Sequence, residues 1–194
     1  MAERSRDPRC SVVIPTHDRW SSLERVLAAL GRQTLDREDF EVIVIDDGSH
    51  DDTTEKLATL SPPFALEVIS QPNSGPAAAR NRGIEQARGD LVVFLDDDVL
   101  PTPGWLEQHL AAHRSGGPKL VVIGPMLTPT DHDFQPWVRW EQSMLERSYQ
   151  AMRDGEWEPT GRHFFTGNVS LPRTLFAEVG RFDESLRRAE DVEL

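Results

Sequence analysis

Leu91-Val92-Val93-Phe94-Leu95-Asp96-Asp97-Asp98 is the stretch that decides the fold. A short, bulky apolar run bounded by polar residues predicts a buried strand over Leu91–Leu95. The three acids then stand at the carboxyl end of that strand. In open α/β sheets the ligand crevice lies outside the carboxyl ends of the strands. Neighbouring carboxylates repel one another and are costly to desolvate without a cation. A hard divalent ion with oxygen ligands removes that cost and can hold a phosphorylated substrate. For the run taken alone, a solvated turn is the competing reading, because acids are common in turns.

Outward from this run, the first half of the chain repeats one pattern. Cys10 to Pro15 reads as a buried strand ended by Pro15. Ser21-Ser22-Leu23-Glu24 can cap a helix in which Leu23, Val26, Leu27 and Leu30 recur at helical spacing, with Gly31 at its end. Phe40 to Ile45 is a second strand, followed by the turn Asp46-Asp47-Gly48-Ser49. A short helix opens at Asp52 or Thr53 and is broken at Ser61-Pro62-Pro63. Leu66–Ile69 is a third strand, and Ala77–Ala87 a helix with Gly75-Pro76 before it. Strands alternating with helices imply right-handed βαβ units and a mostly parallel sheet. Two Asp-rich turns, after Ile45 and after Leu95, should open on the same side of it.

The second half is less regular. A helix is predicted from Pro103-Gly104-Trp105-Leu106 to about His113, a strand over Lys119–Ile123, and a helix with a flanking loop over Asp131–Arg153. Trp137, Trp140 and Trp157 suit an aromatic ligand platform or a core, with the core favoured. His109 and His113, four apart, read as a solvated helix face rather than a metal pair, having no third ligand nearby.

Composition bounds the function. A chain of 194 residues is near the size of one domain, and 38% hydrophobic with 28% charged residues suits a soluble globular protein. The net charge of −12 argues against nonspecific nucleic-acid binding and against a basic membrane-docking face. Cys10 is the single cysteine, so no intrachain disulfide forms. Met1 to Arg9 lacks the apolar core of a signal peptide, and no run approaches the ~18 apolar residues of a membrane helix. The sequence stops at Asp191-Val192-Glu193-Leu194 without a helix stop signal, which predicts a C-terminally truncated chain or one lobe of a larger protein.

Six motifs now line up in order. Ser11-Val12-Val13-Ile14-Pro15-Thr16-His17-Asp18-Arg19 resembles the first strand and loop of family 2 glycosyltransferases. Val42 to Ser49 resembles their second strand, and Asn73 to Gly83 their Gly-Pro-Ala-Ala-Arg-Asn segment. Asp96-Asp97-Asp98 is similar to the Asp-x-Asp element. Phe165 to Ser170 resembles the acceptor loop, and Glu190-Asp191-x-Glu193-Leu194 the catalytic-base motif. The resemblance runs from about Cys10 to the end. It implies an α/β GT-A fold, Rossmann-like, with a mixed, mainly parallel sheet flanked by helices. One domain over 1–194 is expected, with a nucleotide-binding half over about 10–100 and an incomplete acceptor half over about 101–194. The family usually continues beyond the base with an element that closes over the diphosphate. Nothing follows Leu194 here.

The resemblance implies a nucleotide diphospho-sugar, UDP-linked, as the sugar source. No Gly-x-Gly-x-x-Gly or Walker loop is present to cradle its phosphates. Asp98 matches the direct ligand of Mg2+ or Mn2+, and Asp96 the residue on the ribose, with Asp97 beside them. Asp47 resembles the residue that accepts from the uracil N3–H, while Asp46 supports the turn. Pro15, Thr16 and Asp18 would wall the base, where His17 either stacks or stays solvated. Arg80 either reaches the base or diphosphate or forms a surface ion pair, with Asn81 orienting the loop. Asp191 matches the general base of inverting transfer, and Glu190 a contact to the acceptor. On periodicity alone these C-terminal acids would be an exposed helix face. Gly167 and Asn168 lie in an acceptor-binding loop, where Gly permits close backbone approach and Asn can bind a sugar hydroxyl.

The expected reaction is therefore metal-dependent, inverting sugar transfer to a saccharide, lipid-linked or other hydroxyl acceptor. It would take place in the cytoplasm or peripherally at the inner face of the plasma membrane, with any membrane association residing in sequence absent here. The alternative is a noncatalytic nucleotide-sugar-binding module. A nucleotidyltransferase ranks lowest, since Pro15 to Arg19 stands where that class carries a Gly-rich loop.

Overall fold

The computed structural model describes residues 7–128, 134–160 and 164–186. The elements run β1 (Cys10–Thr16), α1 (Trp20–Leu30), β2 (Phe40–Asp46), α2 (Thr53–Thr59), β3 (Ala65–Ser70), α3 (Pro76–Gln86), β4 (Leu91–Leu95) and α4 (Trp105–Ser115). They continue with β5 (Val122–Ile123), α5 (Pro136–Arg153), β6 (Asn168–Pro172) and α6 (Phe176–Val179). The six strands form one sheet in the order β3-β2-β1-β4-β6-β5. The first four are parallel, while β6 runs antiparallel to both β4 and β5. The fold is the expected mixed α/β sheet flanked by helices.

Period-two alternation sorts the central strands between two cores. Val12, Ile14, Val42, Val44, Val93 and Leu95 face one side and pack with Leu23, Val26 and Leu30 of α1 and Leu106 and Leu110 of α4. Val13, Ile43, Ile45, Val92 and Phe94 face the other side, against Ala77, Ala79 and Ile84 of α3 and Phe176 of α6. Burial on both faces is the reason these strands read as continuous apolar runs. α3 lies so close to β1 that a Cβ on Gly83 would stand 2.2 Å from Cγ1 of Val13.

Four local expectations are corrected. β1 does not stop at Pro15. The Thr16 carbonyl accepts from Asp47 N on the β2 side (2.9 Å), so the N–H that Pro15 lacks would point towards β4. The β4 pairing already ends at Val13 and Phe94, and the proline removes no ladder bond. α1 begins at Trp20 rather than at a serine cap, with Arg19 O accepting from Ser22 N and Leu23 N. The strand expected over Lys119–Ile123 shortens to Val122–Ile123. Phe165 to Ser170, read as the acceptor loop, gives way at Asn168 to the strand Asn168–Pro172, with Asn168, Ser170 and Leu171 all buried.

The tryptophan reading is also corrected. Trp137 and Trp140 of α5 are not core: they are 66% and 65% exposed. None of the described side chains of α5 is buried.

Candidate active site

Both Asp-rich turns open at the same edge of the sheet. The carboxyl ends of β1, β2 and β4 and the start of α3 enclose a cavity of about 230 Å3, lined by Pro15, Thr16, Arg19, Asp47, Arg80 and the three acids Asp96, Asp97 and Asp98. Two arginines divide the three neighbouring carboxylates between them. Arg80, buried on α3, donates from Nη2 to Asp96 Oδ1 at 3.0 Å. Arg19 donates from Nη1 to both Asp97 Oδ1 (3.1 Å) and Asp98 Oδ2 (2.7 Å). Thr16 Oγ1 donates to the other oxygen of Asp97 at 2.7 Å. Burial raises the Asp97 carboxyl above its usual range, opposed by the hydrogen bonds from Thr16 and Arg19. Asp98 is exposed at the cavity edge.

Asp47 is buried and already occupied. Its Oδ1 accepts from Gln71 Nε2 (2.8 Å) and Ser74 N (2.8 Å), and its Oδ2 from Gly75 N (2.8 Å). A carboxylate offers about four lone-pair sites, so roughly one is left to face the cavity. Asp46 turns into its own loop and accepts from Ser49 N at 3.0 Å and from the Thr54 hydroxyl. Asn81 is buried and holds the loop after α6, accepting from Phe182 N (3.0 Å) and donating to Phe182 O (2.9 Å).

Asp18 sits beside the cavity and pins the next loop. Its backbone is left-handed, with φ of 52°. Its Oδ1 accepts from His50 N (2.5 Å) and Asp51 N (3.1 Å), which lowers its carboxyl pKa. Among the described residues, His17, Asp18 and His50 are the one group that brings three potential metal-ligand atoms within 4.8 Å of one another. All three are at least partly exposed. His17 lies over Asn73, whose Nδ2 is 3.2 Å from His17 Nε2.

A second and larger hollow, about 770 Å3, adjoins the first at Asp98. Trp105, His109, Gly124, Met126, Leu127 and Asn168 are among the residues lining it. Gly167 stands between the two regions. Its carbonyl accepts from Asp96 N at 3.3 Å, and a Cβ there would meet Asp96 Oδ2 at 2.9 Å. The close backbone approach is to the acidic turn itself.

Asn168 is the hub of the second hollow's floor. Its Oδ1 accepts from Trp105 Nε1 (2.8 Å) and lies 3.1 Å from His109 Nε2, and its Nδ2 donates to Pro125 O (3.2 Å). His109 is not on a solvated face, as its sequence spacing suggested. It is buried, and burial lowers its pKa from 6.5 to about 4. The ring is therefore neutral at pH 7, and the hydrogen-bond inventory assigns its tautomer. The Asn168 oxygen only accepts, so His109 Nε2 carries the proton. His109 Nδ1 then accepts from Ser170 Oγ at 2.7 Å, and Ser170 Oγ in turn accepts from His113 Nε2 at 2.9 Å. Trp105, His109 and His113 of α4 are thus tied to β6 by one ordered chain of hydrogen bonds. Their spacing on one helix face was visible in the sequence. The strand that this face meets was not.

Of the expected site residues, the fold brings Pro15, Thr16, Asp47, Arg80, Asp96, Asp97 and Asp98 around the first cavity, with Asp18 at its side and Gly167 and Asn168 towards the second. Glu190 and Asp191 lie outside the described residues. Arg19 was not among the expected site residues. It is adjacent to the acids only through long-range folding, which no local spacing signals.

This parallel sheet, with acids at the carboxyl end and an antiparallel strand beside them, is a GT-A architecture. The chain belongs to glycosyl transferase family 2, whose family model matches residues 11–180. It is 36% identical over 218 residues to a validoxylamine A glucosyltransferase of Streptomyces hygroscopicus, an alignment spanning 98% of this chain and 51% of that one. It is 32% identical over 189 residues to a pre-mycofactocin glycosyltransferase of Mycobacterium tuberculosis, covering 95% of this chain and 37% of the relative. The chain therefore spans about half or less of the length of these curated relatives. Among solved structures it resembles S. aureus TarS in complex with UDP-GlcNAc (TM-score 0.71, 21% identity, 95% of this chain and 51% of that one). It also resembles a mannosyltransferase from Pyrobaculum calidifontis in complex with GDP-Man and Mn2+ (TM-score 0.72, 21% identity, 96% and 50%). At these identities the two structures support the fold. Among the described residues, no helix is long and apolar enough to cross a membrane.

Proposed function

We propose that the chain moves a sugar, with inversion, from a UDP-linked diphospho-sugar held in the 230 Å3 cavity to an acceptor hydroxyl presented from the 770 Å3 hollow. The observation that carries this reading is the convergence of Thr16, Asp47, Arg80 and Asp96–Asp98 at one sheet edge, next to a second hollow that shares Asp98. Residues of about 10–100 make the nucleotide half and the rest the acceptor half.

Each residue then has a role. Pro15 and Thr16 wall the base, the remaining valence of Asp47 accepts from its imide N–H, and Asp96, Asp97 and Arg80 hold the ribose and phosphate side. The residues fit a hard divalent cation: Asp98 is an exposed carboxylate at the cavity mouth, and Mg2+ or Mn2+ in phosphate sites takes one or two carboxylates with phosphate oxygens and water. When bound, such an ion screens the charge of the diphosphate leaving group. Asp191 takes the proton of the acceptor hydroxyl as its oxygen attacks the anomeric carbon, and the bond to the diphosphate breaks with its electron pair. No second carboxylic acid is needed for so good a leaving group, unlike in glycosidases. Gly167, Asn168 and Glu190 shape the acceptor side, for a saccharide, lipid-linked or other hydroxyl. A nucleotide-sugar source places the reaction in the cytoplasm, including the inner face of the plasma membrane.

Thermal stability with UDP, GDP or dTDP, with and without Mn2+, tests the sugar-nucleotide side. A ligand at about 100 times its Kd stabilises the folded state by roughly 2.7 kcal/mol. The expected shift needs both UDP and Mn2+ and vanishes in Asp98→Ala. A shift that persists in that variant would remove Asp98 as the ligand, and a preference for GDP would remove the uridine reading. Turnover of UDP-sugars with an Asp191→Asn variant as active as the wild type would remove the base.

A further inference from the structure

Arg19 holds the acidic turn closed on itself. One nitrogen of its guanidinium reaches Asp97 Oδ1 at 3.1 Å and Asp98 Oδ2 at 2.7 Å, so a single positive charge clasps two of the three acids. Its backbone is fixed at the start of α1, where Arg19 O accepts from Ser22 N and Leu23 N (both 3.1 Å), while the side chain crosses to the end of β4. The third acid is held separately by the buried Arg80. The two arginines differ in setting: the Arg19 side chain is 54% exposed, against 6% for Arg80. The Arg19–Asp98 pair, exposed at both ends, is weak and readily exchanged, while Asp97 keeps its hydrogen bond from Thr16 when the guanidinium leaves. A divalent ion on Asp98 would contest the same oxygen, and its charge would repel the guanidinium a few ångströms away.

We infer that Arg19 is a further residue of the sugar-nucleotide site: it is the intrinsic counter-ion of Asp97 and Asp98, gives way to a divalent cation, and then turns its guanidinium onto the diphosphate. The inference rests on the metal and nucleotide reading proposed above. It follows chemically from what the freed side chain meets. Arg19 lines the same cavity as Asp98, and a guanidinium fork matches phosphate oxygens better than any other side chain. Metal alone must compete with Arg19, whereas metal arriving with a diphosphate supplies Arg19 with a new anion. The two ligands therefore favour each other, and by linkage the effect is reciprocal. Arg80, buried and bound to Asp96, stays in place through the exchange.

Mn2+ binding is measured by calorimetry or by loss of the free-ion EPR signal, with and without UDP, for wild type, Arg19→Gln and Asp98→Asn. Unfolding without ligand confirms that each variant is folded. Removing the exposed pair to Asp98 and the half-buried pair to Asp97 is expected to tighten Mn2+ binding without UDP about three- to tenfold in Arg19→Gln. In the same variant the enhancement of Mn2+ binding by UDP shrinks; chelation of Mn2+ by free UDP is common to all three proteins and cancels. Asp98→Asn loses Mn2+ binding under both conditions. If Mn2+ binds the wild type, is lost in Asp98→Asn and is unchanged or weakened in Arg19→Gln without UDP, the exchange is wrong while the metal site stands. If Mn2+ with UDP binds neither the wild type nor Arg19→Gln, the metal site and the exchange both fall.

Discussion

Protonation of His109 should unlock the floor of the larger hollow. Its ring is buried among Trp105, Asn168 and Ser170, with His113 the titratable neighbour across Ser170. Desolvation lowers its pKa from 6.5 to about 4. Below pH 6.5 the unfolded chain takes up a proton that the folded chain refuses, so stability falls with pH until about 4 and this contribution then levels off. At about 1.4 kcal/mol per pH unit, the gap between 6.5 and about 4 amounts to about 3 kcal/mol. A protonated ring is a donor at both nitrogens, so the bond that Nδ1 accepts from Ser170 is lost as well. Urea unfolding of the wild type and His109→Gln, at a series of pH values from about 7 to about 4, isolates the effect, because the carboxylates and His113 titrate in both proteins. The wild type should lose about 2–3 kcal/mol more than the variant over that range. Parallel pH dependences in the two proteins would refute a buried, neutral His109.

Two further outcomes follow from close packing and from turn chemistry. Gly83→Ala places a methyl group 2.2 Å from Val13 Cγ1 across the α3–β1 contact. Overpacking costs about 1–3 kcal/mol, and the better helix propensity of alanine offsets up to about 1 kcal/mol of it, so chemical denaturation should show a net loss. A variant as stable as the wild type would show that α3 shifts off β1 freely. Asp47→Ala removes the acceptor of Gln71 Nε2 and of the Ser74 and Gly75 amides. It should destabilise the protein by about 1–3 kcal/mol with no nucleotide present, and unchanged stability would show that the carboxylate does not hold this loop.

The parts legible in the chain are those where one local pattern suffices. β1, β2 and β4 are buried on both faces, so their apolar runs stand out without knowledge of their partners. The Asp-rich turns follow them directly, and a parallel sheet sends both to one edge. β6 escaped because its buried polar residues broke the apolar pattern. Asn168 and Ser170 are buried only because Trp105, His109 and His113 satisfy them across the α4 contact. Trp137 and Trp140 misled in the opposite sense, since helical periodicity marks an apolar stripe but not whether anything covers it.

The amino-acid sequence by itself determined the strand-and-helix alternation, the parallel half of the sheet, the edge at which the acids gather and the family that the motifs resemble. Each depends on residues close together in the chain. The tertiary structure decided which charges meet. Arg80 goes to Asp96, Arg19 to Asp97 and Asp98, and the two α4 histidines to β6. These pairings join residues brought within about 3 Å by separate elements, and hydrogen bonds and ion pairs fall off steeply beyond that reach. Only the packed sheet supplies that proximity.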